Sequence, residues 1–175
     1  PARLAATIPA HLTPVLVAEN GSVVAAAGFG DPIRADAAQA VARLGARGWS
    51  IGILSGDAEP VVLAVGQAVG VPENRLESGA SPEDKVATVQ RLLGDGPVVM
   101  VGDGVNDAPA MGCATVGVGV RGGAEACLAT ADVFLARPGL GALVDLVEGA
   151  SRTMRVIRRN MAISLGYNLI GAALA

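Results

Sequence analysis

The stretch from Val98 to Ala110, VVMVGDGVNDAPA, constrains this chain more than any other. Four apolar residues run straight into a turn that holds two carboxylates and one carboxamide. An apolar run without alternation is the pattern of a strand buried on both faces, which places it in a parallel sheet. The strand is expected to stop at Gly102, with Asp103 and Asp107 presented just past its carboxyl end, where open α/β sheets hold their ligands. Gly102 and Gly104 permit a close backbone approach that a side chain would block, and Pro109 suits the first turn of a following helix. Two acids so near each other repel unless a cation lies between them, and hard oxygen ligands beside an open loop suit Mg²⁺. The expected guest is a phosphate with its magnesium.

The rest of the chain is read around that loop. A length of 175 residues holds one α/β domain with a core and little more. Only 2% of the residues are aromatic although 51% are hydrophobic, so the core must be built from closely packed small side chains. The net charge of −3 gives no electrostatic reason to expect nucleic acid. Cys113 and Cys127 form no CxxC pair and His11 is the single histidine, so two ordinary buried thiols are expected rather than a metal site. Pro1 to Ala10 lacks the basic start and apolar run of a signal peptide.

Two apolar runs flank Asn20-Gly21, which predicts a β-hairpin within residues 1–28. Ala37, Ala40, Val41 and Leu44 share one helical face, and Gly48 follows as a stop. Trp49 to Leu54 then reads as a strand ending in Ser55-Gly56-Asp57, a second loop able to donate a hydroxyl and backbone N–H groups to an anion. Pro60 to Val69 is the next predicted helix. Ser81 is a good N-cap for a helix with acids in its first turn, and Lys85, the only lysine, stands in that turn against the helix dipole. An anion shared by the helix end and the ammonium would relieve the misfit. Strands are further predicted over Ala114 to Val120 and Ala131 to Leu135, with a short helix over Gly122 to Ala129 between them. Strands alternating with helices predict a parallel sheet covered on both faces.

From Leu140 apolar residues recur at helical spacing, Arg152, Arg155, Arg158 and Arg159 cluster, and the sixteen residues from Asn160 to Ala175 carry no charge. Arginines immediately before an apolar run follow the positive-inside pattern, so residues 160–175 are expected to be the first part of a transmembrane helix cut short at the chain end.

Five features therefore stand in one order: DPIRADA, LSGD, SPEDK, VGDGVNDAPA and a basic helix running into an apolar Tyr-Asn segment. Together they resemble the carboxyl-terminal part of a P-type ATPase, and GDGVNDAPA matches that family's GDGxNDAPA signature residue for residue. The branch it most resembles transports heavy metals, and the Tyr167-Asn168 pair resembles that of copper pumps. The resemblance implies a haloacid dehalogenase-like fold, a Rossmann-like parallel sheet with helices on both faces, followed by a stalk helix running into a truncated transmembrane helix. It implies a remnant of the nucleotide-binding domain at residues 1–28, the phosphorylation domain at 29–140, a basic stalk at 141–159 and the start of a membrane helix at 160–175. Asp103 and Asp107 would hold Mg²⁺, with Asp107 also pairing with Lys85, whose ammonium would stabilise phosphoryl oxygens. Ser55, Gly56, Asp57 and Asn106 would hold the phosphoryl group, Gly102 and Gly104 would line the cofactor, and Tyr167 and Asn168 would meet the transported ion.

The implied cofactors are Mg²⁺ and ATP, the latter through a missing nucleotide-binding domain. The implied partners are the missing amino-terminal part of the ATPase, membrane lipid and a heavy-metal ion such as Cu⁺. The intact protein would be a multi-pass membrane protein with residues 1–159 on the cytoplasmic side. One departure is large: the family's nucleophile is the aspartate of DKTGT, and no DKTGT occurs here. The chain alone is therefore expected not to turn over ATP. Two alternatives are a fragment of a haloacid dehalogenase-like small-molecule phosphatase and a non-catalytic module that binds Mg²⁺ and phosphate.

Overall fold

A computed structural model describes residues 8–9, 12–30, 32–103, 105–120 and 129–174. The chain opens on the predicted hairpin: β1 (Thr13–Glu19) pairs antiparallel with β2 (Ser22–Phe29). Asn20 and Gly21 turn the chain with φ of 49° and 79°, the left-handed pair that a two-residue hairpin loop demands. Val15, Leu16, Val17, Val24 and Phe29 all remain exposed, so the ribbon buries almost none of its own apolar surface.

After the hairpin come α1 (Ala37–Gly45), β3 (Ile53–Leu54), α2 (Glu59–Val69), β4 (Leu76–Glu77) and α3 (Pro82–Leu93). Then follow β5 (Val99–Gly102), α4 (Ala108–Cys113), β6 (Val116–Val120), β7 (Val133–Leu135) and α5 (Gly141–Leu174). Every strand pair after the hairpin is parallel. They are organised as a two-stranded sheet, β3-β4, and a three-stranded sheet in the order β5-β6-β7. The strand predicted over Trp49 to Leu54 shrinks to Ile53–Leu54, because β4, its ladder partner among the described residues, is itself two residues long. The helix expected over Gly122 to Ala129 lies almost wholly outside the described residues, as do His11, Gly104 and Cys127. Cys113 is a free, half-buried thiol rather than a fully buried one.

β6, VGVGV, shows why the three-stranded sheet can be covered on both faces. Its valines alternate to one side, where Val118 packs with Ala40 and Leu44 of α1 and with Leu143 and Val144 of α5, and Val116 and Val120 join them. Its glycines face the other way, and a Cβ at Gly117 would stand 2.9 Å from the Met111 carbonyl oxygen. The absence of a side chain there is what lets α4 lie on the sheet. A smaller cluster of Ala37, Val69 and Val71, with Ile53 and Leu76 against it, ties α1 and α2 to the β3-β4 pair.

α1 also holds the start of α5 by polar contacts. The Gly141 N–H donates to Asp36 Oδ2 at 2.8 Å, capping the long helix from another element. Arg43 and Arg47 reach Glu148 at 2.6 and 3.0 Å. The hydrogen bond from Arg43 holds the Glu148 carboxyl below its usual range. That contribution is present above the ordinary carboxylate value and is lost as pH falls through the lowered one.

Beyond Ala150 almost all of α5 is exposed, including Met161, Ile163, Leu165, Ile170 and Leu174. No helix among the described residues is long and apolar enough to cross a membrane. The uncharged part of α5 within the described residues, Asn160 to Leu174, rises ~22 Å, against the ~30 Å of a bilayer core. An apolar surface this large favours self-association in water. Removing residues 160–175 is therefore expected to convert an aggregating protein into a monodisperse one, as read by light scattering after gel filtration. A full chain equally monomeric without detergent would contradict this.

Candidate phosphoryl-handling site

The site is built at the carboxyl ends of β3 and β5. β5 ends at buried Gly102, and a Cβ there would fall 2.6 Å from the Asp107 Cβ and 2.9 Å from its Oδ2. Gly102 is thus the residue against which the Asp107 side chain rests. Asp107 occupies the N-cap position of α4, where an aspartate ordinarily accepts from its own helix's N–H groups. It makes no such bond. Its Oδ1 instead accepts from Lys85 Nζ at 2.7 Å, an ion pair between elements 22 residues apart.

Lys85 is the one buried charged residue among those described, 9% exposed. A lysine so enclosed needs its charge compensated, and Asp107 provides that. The end of the helix that carries it is fixed by a full capping box. The Asp84 N–H donates to Ser81 Oγ at 3.1 Å, while the Ser81 N–H donates to Asp84 Oδ2 at 3.0 Å. The Ser81 hydroxyl also donates to Asp84 Oδ2 at 2.7 Å, and this bond foremost, with that of the Ser81 N–H, holds the Asp84 carboxyl below its usual range.

The second loop is attached to the same helix start through the backbone. The Ser55 N–H donates to the Glu77 carbonyl at 2.9 Å, the Gly79 N–H to the Asp57 carbonyl at 2.8 Å and the Ala80 N–H to the Ser55 carbonyl at 2.9 Å. Ser55-Gly56-Asp57 is therefore laced to the residues immediately before the Ser81 cap. Within the loop the Ser55 hydroxyl donates to Asp57 Oδ2 at 2.9 Å and accepts from the Asp57 N–H at 3.2 Å. The hydroxyl expected to face an anion is thus turned onto its neighbour.

Asp103 and Asn106 are exposed beyond β5. Among the described residues no group of three His, Cys, Asp or Glu side chains could hold a metal ion by itself. This donor set suits Mg²⁺, which takes one or two carboxylates and completes its shell with water and phosphate oxygens. Asp103 offers a free carboxylate for that purpose, whereas one oxygen of Asp107 is already committed to Lys85. Tyr167 and Asn168, on exposed turns of α5, stand far along the chain from these loops and take no part in them.

Sequence reasoning missed one contact that ties α3 to β4. The Thr88 hydroxyl, one turn further along α3, lies 2.9 and 3.1 Å from the two carboxylate oxygens of Glu77. Nothing in the sequence marks this pair, because β4 is too short to show a strand pattern.

Parallel strands β3 and β5 with acidic loops at their carboxyl ends, and a buried lysine paired with one of those acids, place the chain among α/β proteins. The family profile described as haloacid dehalogenase-like hydrolase matches residues 3–115, and the chain belongs to that family. Within it, the chain is similar to heavy-metal P-type ATPases. It is 40% identical over 154 residues to the zinc/cadmium/lead-transporting P-type ATPase of Shigella sonnei, covering 88% of this chain and 21% of that one. It is 37% identical over 164 residues to a Mycobacterium tuberculosis protein named "Probable copper-exporting P-type ATPase V", covering 93% and 21%. The crystal structure of a zinc-transporting PIB-type ATPase in its E2·Pi state superposes with a TM-score of 0.77 at 39% identity, covering 90% of this chain and 26% of that one. The chain thus spans about a fifth of the length of these curated relatives. Another relative, also 40% identical, is named for manganese export. The ions named differ among comparable relatives, so the expectation of copper drawn from Tyr167 and Asn168 gains no preference over the others.

Proposed function

We propose that this chain is the phosphoryl-handling part of an ATP-driven heavy-metal cation transporter. The buried Lys85–Asp107 ion pair at the end of β5 is the observation that carries the reading, because a fixed ammonium beside an acidic loop is what a transferring phosphoryl group requires. In this reading Asp103 ligates Mg²⁺, which when bound would neutralise and orient phosphate oxygens. Asp107 holds the ammonium of Lys85 toward the same oxygens. Asn106 and the Ser55-Gly56-Asp57 loop enclose the phosphoryl group, with Ser55 releasing Asp57 to donate outward, and Gly102 and Gly104 leave room for it. The attacking aspartate and the ATP-binding surface belong to the rest of the transporter. On the same reading residues 1–28 are part of the nucleotide-binding domain, 29–140 the phosphorylation domain, 141–159 the stalk and 160–175 the beginning of a membrane helix. Copper, met by Tyr167 and Asn168, is one candidate cargo beside zinc and manganese.

The chain alone is expected to bind Mg²⁺ weakly and to leave ATP intact. Mn²⁺ used as a paramagnetic substitute should broaden the amide signals of residues 102–107, Asp103→Asn should abolish the broadening, and Mg²⁺ should reverse it. Broadening centred elsewhere, or Mg²⁺-dependent phosphate release that Asp103→Asn abolishes, would sink the assignment.

A further inference from the structure

The arginines of α5 are uncompensated, which their sequence does not suggest. Glu148 lies four residues before Arg152, the spacing and polarity at which an acid stabilises a base on a helix. Glu148 is instead taken by Arg43 and Arg47 of α1, and the preceding acid, Asp145, pairs with Arg137 at 2.8 Å. No Asp or Glu follows Glu148 in the chain. Arg152, Arg155, Arg158 and Arg159 are all exposed, and among the described residues none of them forms an ion pair. Arg152, Arg155 and Arg159 stand at i, i+3 and i+7, hence on one helix face, with Arg158 beside them. In a chain of net charge −3 this is a local concentration of four cations, and directly beyond it the helix exposes Met161, Ile163 and Leu165.

We propose that Arg152, Arg155, Arg158 and Arg159 form a docking collar for the anionic headgroups of a phospholipid surface. The charge is complementary to lipid phosphate, the guanidinium fork matches phosphate geometry, and the apolar turns immediately beyond would enter the acyl boundary while the arginines remain at the headgroups. α1 contributes indirectly: by withdrawing Glu148 it leaves Arg152 free for lipid. The inference rests on reading α5 as a stalk that reaches a membrane and is independent of the phosphoryl loops. A failure of one therefore leaves the other standing.

The test is flotation of the full chain with vesicles of phosphatidylcholine alone and of phosphatidylcholine containing phosphatidylglycerol. Binding should favour the anionic vesicles and weaken as salt rises. Each arginine at the surface is worth about a fivefold change in partitioning, so replacing all four by Gln should lower binding to anionic vesicles by about a hundredfold or more. Replacing all four by Lys should retain most of the binding, which separates charge from any change in fold. Replacing exposed Arg75 and Arg91 by Gln should leave it unchanged. Equal binding to both vesicle types, full binding by the four-Gln variant, or displacement by millimolar glycerol phosphate would each overturn the collar.

Discussion

Replacing Lys85 by alanine is expected to slow phosphoryl transfer from ATP by about two to three powers of ten, the loss typical of removing one preorganised charge stabiliser. The measurement uses this chain reassembled with a segment carrying the DKTGT aspartate, and the rate is expressed per folded molecule. Folding must be followed in parallel, because the substitution does more than remove a charge from a site. The Lys85 and Asp107 side chains are only 11% and 15% exposed, so the variant leaves a carboxylate enclosed without its partner. A stability cost of about 1–3 kcal/mol should accompany the loss of rate. Full-rate transfer by folded Lys85→Ala protein would reduce the ion pair to a structural contact.

Gly102→Ala should damage the same site from the other side. The added methyl would lie 2.6 Å from the Asp107 Cβ and 3.0 Å from its Cγ, and Asp107 is tethered to Lys85, so the clash cannot be relieved by swinging a free side chain. Either the ion pair opens or the end of β5 shifts. The expected destabilisation is about 1–3 kcal/mol, typical of overpacking in a close-packed interior, with a transfer rate as low as that of the lysine variant. Gly45→Ala, at the end of α1, is the control, because its Cβ would meet only the Ile51 Cδ1 at an ordinary 3.9 Å. A thermal midpoint unchanged by Gly102→Ala would show that the loop accommodates the methyl and that Asp107 is not pinned by the strand end.

These two residues also mark how far the sequence could be read. Gly102 and Lys85 could be singled out because each was anomalous: a glycine ending an apolar strand, and a cation where a helix dipole disfavours one. The helices were legible for a related reason, since α1 and α3 carry regular apolar faces and α3 has a recognisable Ser81 cap. What could not be read depends on contacts between distant segments. The Thr88–Glu77 contact requires a two-residue strand that no periodicity reveals. The turning of Ser55 onto Asp57 is a choice between two acceptors that composition leaves open. The capture of Glu148 by α1, across 105 residues for Arg43, overrides a local pairing that the sequence favours. The apolar run from Trp49 to Leu54 is longer than β3 because apolar character reports burial, whereas a strand needs a ladder partner along its whole length.

Handling of a phosphoryl group in the presence of Mg²⁺ is the role proposed for the loops after β3 and β5 together with Lys85. It is tested most directly by trapping acid-stable phosphoprotein from radiolabelled ATP after reassembly with the DKTGT-bearing segment. Label is expected on that segment, requiring both this chain and Mg²⁺, and is expected to be lost with Asp103→Asn. Label formed equally without this chain, or undiminished with Asp103→Asn, would contradict it.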